Sequence, residues 1–385
     1  MSFSRPLPVI VLAQALCTSL WFGGNAVLPD LAGRLGLPPG AAGSMSAAVQ
    51  AGFIGGTLLF AVLAVADRYR STRVFFYCAL AGAALNALIP FCDHFGTILG
   101  LRFGTGFLLA GIYPVGMKIA AERSPGGLGK ALGYLVGALV LGTALPHGLR
   151  GLSLRLPADT VLFTLSGLAA LGGILLLLLV PAAPPTGGGG VQLGAAFRIF
   201  RHAPLRQAAL GYFGHMWELY AFWTFVPLYI AANSNSAAGN IPALAFCCIV
   251  AGAFGCVWAG YRARRSGAVK VAAVALLCSL ACCLAAPLAL RLPAPLFVGF
   301  LLFWGFMVVA DSPMFSTLVA QRAPQEQKGT ALTLVTSIGF AVTVVSIGLL
   351  GRLQGHWSPG MLLLLLAPGP LFGLLALRRP GGARK

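Results

Sequence analysis

Charged residues are scarce in this chain. Of 385 residues only 9% are Asp, Glu, Lys or Arg, and only eight are acidic, whereas soluble proteins carry roughly 25% charge. With 58% of residues hydrophobic, no water-soluble globule could hide the apolar surface. Short segments of alternating polarity are missing too, which excludes a transmembrane β-barrel. No GxxxxGK[ST] phosphate loop occurs, so direct drive by ATP is not expected. The nine cysteines contain no CxxC pair, and all except Cys92 lie inside apolar stretches, where a thiol acts as a small hydrophobe. A soft-metal path through Cys247, Cys248, Cys278, Cys282 and Cys283 is the sharper alternative. The packing reading is preferred, and neither a metal nor a cofactor is expected.

Long apolar tracts fill the space that charge leaves. Twelve can be marked, each close to the 20 residues that cross a ~30 Å hydrocarbon core: 8–27, 42–65, 74–91, 97–120, 131–149, 160–180, 207–231, 241–261, 269–290, 295–319, 329–350 and 360–377. The first exceeds the 7 to 15 residues of a signal-peptide core, and another tract follows directly, so it is expected to remain as a helix. Between the sixth and seventh tracts lies PAAPPTGGGGVQLGAAFRIFRHAPLR, too rich in Pro, Gly and Arg to continue a hydrophobic helix. This divides the chain into residues 1–180, a linker at 181–206, and residues 207–385.

The net charge of +18 could suggest nucleic acid, but the basic residues form no stripe with aromatic stacking partners. They follow membrane topology instead. Placing the N-terminus in the cytoplasm puts nineteen Lys and Arg on that side, among them Arg68, Arg70 and Arg73, Arg198 and Arg201, and Arg262, Arg264 and Arg265. Five are left on the other: Arg34, Arg150, Arg155, Arg291 and Arg352. By the positive-inside rule both termini are cytoplasmic; the excess of Arg over Lys hints at a GC-rich bacterial genome, and the bacterial inner membrane is the expected location.

The halves echo each other. GFLLAGIYPVGMKIAAERSPGGLGKALG in the first is matched by GFMVVADSPMFSTLVAQRAPQEQKGTAL in the second, pairing Gly106 with Gly305, Pro114 with Pro313 and Arg123 with Arg322. ADRYR from Ala66 is echoed by GYRAR from Gly260. A duplicated half of this kind places a binding site at the interface of the repeats, near the bilayer midplane.

The segment LAVADRYRSTR, Leu63–Arg73, and RFGTGFLLAG from Arg102 resemble signature motifs of the major facilitator superfamily. Asp67, Arg68 and Arg73 match the first motif, while Leu63 and Arg70 replace its glycines. GTALPHG, Gly142–Gly148, meets an antiporter motif only loosely. Among subfamilies, the short termini and linker resemble the twelve-helix drug and sugar efflux permeases. The resemblance implies an all-α membrane protein, twelve transmembrane helices in two pseudo-twofold-related six-helix bundles, working by alternating access. It also implies that the first, fourth, seventh and tenth helices line a central cavity.

The charges inside tracts are Arg102 and Lys118 on the fourth, Glu218 on the seventh and Asp311 on the tenth. At bilayer depth such groups cost about 2.5 kcal/mol or more, which makes each a functional candidate. Glu218 and Asp311 are candidate proton carriers. His215, three residues before Glu218, shares its helical face. Static pairing of either acid with Arg102 is the competing explanation. Arg102 could meet an anionic substrate or snorkel outward, and snorkelling is favoured for Lys118. Trp21, Asn25, Arg102, Tyr113, Trp217 and Tyr220 are candidate cavity residues, although Trp and Tyr also mark membrane interfaces. Asp67, Arg68 and Arg73, with Glu122 and Arg123, resemble a cytoplasmic gate.

These observations lead to an expected secondary active transporter, exporting a small organic solute against protons as a functional monomer. The alternative is a proton-coupled importer or facilitator of a small organic anion. An enzyme is not expected, because HxxE offers too few groups for a metal and no nucleophile accompanies it. A non-transporting receptor would show no solute flux.

Overall fold

Inside a bilayer every backbone N–H and C=O needs a partner within the protein, and helices supply one along each segment. The computed structural model describes residues 6–123, 128–152, 156–182, 184–185, 197–233, 240–324 and 328–378. Residues 183 and 186–196 of the linker lie outside the described residues.

Twelve crossings follow one another: α1 (Leu7–Thr18, continued by Gly23–Ala26 and Leu28–Leu35), α2 (Ala41–Val62), α3 (Ser71–Ala87), α4 (Phe95–Leu109 and Tyr113–Arg123), α5 (Leu128–Leu152) and α6 (Ala158–Leu179). Then come α7 (Ala203–Ala231), α8 (Ile241–Ser266), α9 (Ala268–Ala289), α10 (Ala294–Ala310 and Ser312–Arg322), α11 (Lys328–Leu353) and α12 (Pro359–Leu364 and Pro368–Arg378). Ten of these are long and apolar enough to span a membrane by length and composition alone. The two outside that set are α1, which is broken into short pieces, and α7, whose length is ample but whose middle carries His215 and Glu218.

Four crossings are interrupted, and proline explains three of the breaks. Pro114 and Pro313 occupy the second residue of the second segments of α4 and α10, and Pro368 the first residue of the second segment of α12. A proline lacks the N–H that would continue the preceding turn, yet suits a helix start. The break in α1 falls at Ser19–Phe22, just before Gly23 and Gly24.

Glycine lets helices within each half cross at backbone contact. A Cβ on Gly106 would run into the Val49 carbonyl, and one on Gly305 into the Cys248 carbonyl. The α2–α4 and α8–α10 crossings thus use the same contact, 199 positions apart on both chains of the pair. Small residues at such crossings let dispersion and Cα–H contacts replace the hydrophobic drive that lipid removes.

The start of α1 at Leu7 and the end of α12 at Arg378 share one end of the bundle, here called proximal. The halves meet chiefly through α2 with α11 and α5 with α8, and their tight contacts lie at the distal end. Gly43 faces Gly351 and Ile347, while Gly148 and Gly151 face Phe246 and Ala243. Asn240 donates from Nδ2 to the Gly151 carbonyl at 2.5 Å, and Thr224 to Ser46 Oγ at 3.0 Å.

Candidate functional site

With the distal end closed, a cavity of about 520 Å³ remains between the halves. It runs to the proximal surface, with Asp67, Lys118, Ala320 and Gly329 toward its mouth, and its walls come from α2, α4, α5, α7, α10 and α11. On α7 the lining residues are Tyr212, Met216, Leu219, Tyr220 and Trp223, spaced by three or four residues and therefore on one helical face.

An aromatic roof caps the cavity. Trp21, placed by the break in α1, stacks on Tyr220 and Phe340, each with ring centroids 5.6 Å away, and meets Phe53 at 4.9 Å. Tyr220 meets Trp223 edge-on at 5.2 Å. These rings come from α1, α2, α7 and α11, so the roof joins both halves. Pairs of this geometry contribute ~0.5 to 1.5 kcal/mol each beyond their burial. Tyr113 and Tyr220 line the cavity; Trp21 lies behind the first layer of rings.

Three other expected cavity residues stand elsewhere. Asn25 donates to Ser46 Oγ at 2.9 Å and to the Ala42 carbonyl, bracing α1 against α2. Trp217, on another face of α7, donates from Nε1 to the Leu365 carbonyl at the α12 break, 3.1 Å away. Arg102 neither snorkels nor faces the cavity. It is wholly buried, and its guanidinium donates to the carbonyls of Leu20, at 2.9 Å, and Trp21. The break in α1 leaves those carbonyls without helical partners, and a forked, always-charged donor can satisfy two at once. Depth along the chain marked these residues; the helix face, which depth does not reveal, decided their surroundings.

The acids of the second half are buried just behind the cavity wall. Glu218 Oε1 accepts hydrogen bonds from Ser279 Oγ at 2.5 Å, Trp304 Nε1 at 2.8 Å and Cys283 Sγ at 3.3 Å. Those partners lie on α9 and α10, so the carboxyl ties three helices together. His215 Nδ1 stands 2.8 Å from Asp311 Oδ1, with both side chains at most 3% exposed. Asp311 occupies the single position between the two segments of α10, where the chain has stepped out of regular hydrogen bonding. Neither acid pairs with Arg102. Each of the three groups is flanked in sequence by a lining residue, Met216, Leu219 or Ser312.

At the mouth, Lys118 Nζ lies 2.6 Å from Asp67 Oδ1 and 3.7 Å from Glu122 Oε1, and it also donates to the Ala66 carbonyl. Asp67 therefore pairs with Lys118 on α4 and not with its neighbour Arg68. Glu122 likewise meets Lys118, four residues earlier on the same helix. Arg123 donates to the Pro181 carbonyl. Among the described residues Arg68 and Arg73 form no ion pair. All three members of the Lys118 cluster belong to the first half.

Sequence reasoning missed Ser279, Cys283 and Trp304 as partners of Glu218. A lone hydroxyl in the apolar ninth tract and an indole in mid-tract ten were the available signals. It also missed Tyr212, Thr333 and Thr336 in the cavity wall. No group of three or more His, Cys, Asp or Glu suited to a metal occurs among the described residues, and the Cys residues of α8 and α9 do not form one.

A bundle of broken and continuous apolar helices around a central cavity, closed at one end and open at the other, defines a helical membrane transporter. The profile of the Major Facilitator Superfamily matches residues 10–347, and the chain belongs to that family. Solved structures share the fold at low identity. The human organic anion transporter MFSD10 (TETRAN) aligns over 97% of this chain and 99% of its own, with a TM-score of 0.76 and 17% identity. A variant of the nucleoside transporter NupG aligns over 97% and 99%, with a TM-score of 0.75 and 14% identity. A chloramphenicol resistance protein of Streptomyces lividans is 32% identical over 141 residues, a match spanning 36% of each chain.

Proposed function

We propose that this protein is a proton-coupled exporter of a small organic solute in the bacterial inner membrane, with both termini in the cytoplasm and the monomer as the working unit. Residues 1–180 and 207–385 form the two moving halves, tied by 181–206. The cavity then opens to the cytoplasm, ready to load solute for export. Partial likeness to a chloramphenicol resistance protein supports the outward direction, since a transporter protects a cell by removing the compound.

The observation that carries the coupling is the placement of Glu218, Asp311 and His215. Three ionisable groups are kept in the apolar interior of one half, each next in sequence to a cavity-wall residue. A carboxyl there can exchange its charge for a proton, and each state asks for different partners. Ionised, Glu218 needs the donors Ser279 and Trp304; protonated, it becomes a donor itself. Asp311 and His215 join the break of α10 to the middle of α7. Loss of that attraction on protonation of Asp311 frees Ser312–Arg322, which walls the cavity, to move against α7. Solute binding and proton binding then bias one two-state element, which is what coupling requires. Proton-coupled import of an anion would draw on Arg102 and Lys118, but both are engaged by protein groups.

The test uses purified protein in liposomes that enclose a pH-sensitive dye. Imposing a solute gradient should drive proton movement in the opposite direction for at least one solute of a chemically varied panel. Solute flux with no proton movement would overturn the coupling, and no flux for any member would overturn transport of this solute class.

A further inference from the structure

The charge class of the solute can be read from what the cavity wall holds, an inference that rests on the transport reading above. Among the described lining residues only Asp67 and Lys118 carry charge, and they face each other at 2.6 Å near the mouth. The buried charged groups Arg102, Glu218 and Asp311 lie outside the described wall. Arg102 is held by the Leu20 and Trp21 carbonyls, Glu218 by Ser279 and Trp304, and Asp311 by His215. A cation entering the interior meets no carboxylate in the described wall beyond Asp67, and an anion no cation beyond Lys118. Either would lose its hydration without a counter-charge to replace it.

The wall does offer hydrogen-bonding groups on aromatic surfaces. Tyr212 and Thr336 line the cavity together. Tyr113 and Tyr220 line the cavity, and neither hydroxyl has a hydrogen-bond partner among the described residues. All three tyrosines line this one cavity. Tyr113 comes from the first half and Tyr220 from the second. Tyr220, Trp223 and Phe340 add ring faces to the wall.

We infer that the cavity selects an uncharged, flat aromatic molecule carrying a hydrogen-bonding group, which bridges the halves through the hydroxyls of Tyr113 and Tyr220. Ammonium and carboxylate analogues of the same skeleton are rejected. Proton exchange against such a solute moves net charge, because the solute carries none.

Three probes on one skeleton test this: N-acetyl-naphthylalanine amide, uncharged; N-acetyl-naphthylalanine, a carboxylate; and naphthylalanine amide, an ammonium. Binding to the purified full chain in detergent is measured by equilibrium dialysis at about pH 5.5, where an α-amino group is protonated and a carboxylate is still ionised. The uncharged probe should bind about 10-fold or more tighter than either charged one. Tyr113→Phe and Tyr220→Phe should each weaken it by roughly 3- to 10-fold, the range of a single net hydrogen bond. Equal or tighter binding of a charged probe, no binding of the uncharged one, or unchanged affinity in the double Phe variant would overturn the inference. Dialysis involves no gradient, so this result can fail while proton-coupled transport stands, and the reverse.

Discussion

Packing at the distal closure makes Gly43 a lever on the conformational equilibrium. A Cβ placed there would lie 3.3 Å from Gly351 Cα, 3.3 Å from the Ile347 carbonyl oxygen and 3.4 Å from Phe225 Cζ. Alanine therefore asks its neighbours to yield by a few tenths of an ångström, at a cost below about 1 kcal/mol. Leucine adds three more carbons where the backbones of α2 and α11 are already in contact, and overpacking of that order costs roughly 1 to 3 kcal/mol. In a state with the distal ends apart the same side chain meets no such wall. The cost thus falls on the closed form alone, and Gly43→Leu should shift the balance toward distal opening by a factor of about 5 to 150. Hydrogen exchange read by mass spectrometry is the assay. Amides in the distal turns of α2, α11, α5 and α8 should exchange faster in the order wild type, Ala, Leu, while those lining the proximal mouth slow down. Equal protection in all three proteins would refute the claim that this contact holds the distal end shut.

Two further substitutions probe the buried polar groups. Removing one member of a buried pair strands the other, whereas removing both does not, so His215→Leu/Asp311→Leu should be more thermally stable than Asp311→Leu combined with intact His215, or the converse single. A double variant less stable than both singles would contradict the pairing. Arg102→Lys keeps the charge but loses the fork that reaches two carbonyls. It should raise hydrogen exchange across residues 19–26 by roughly 10-fold, about the loss of one charge-assisted bond, and unchanged exchange would mean that the break in α1 is held by something else.

Much of the architecture was legible because the bilayer imposes one rule on every crossing. Tract length, the basic loops and the echo between Gly106 and Gly305 each report on a property the membrane enforces, and the structure repeats that echo as a shared helix contact. The ends of the first tract were less legible. Its helix breaks at Ser19–Phe22 and the chain then continues as helix to Leu35, because Arg102, 82 positions from Leu20, closes the exposed carbonyls. Facing was the hardest to read. In a soluble helix polar and apolar faces differ, but on α7 lipid, cavity and bundle interior are all met by apolar or aromatic side chains. Trp217 and Tyr220 look equivalent in sequence and differ only in direction. For the same reason Glu218 could be recognised as exceptional without showing that Ser279 and Trp304 receive it.

The central claim is that protons act through the buried acids of the second half, and Glu218→Gln tests it most directly. Glutamine keeps an oxygen for Ser279, Trp304 and Cys283 to donate to, so the fold should persist, but it cannot bind or release a proton. In liposomes under an imposed pH gradient, with the uncharged naphthyl probe as solute, the variant should lose accumulation against the solute gradient while retaining solute-for-solute exchange. Accumulation at the wild-type level would contradict the account.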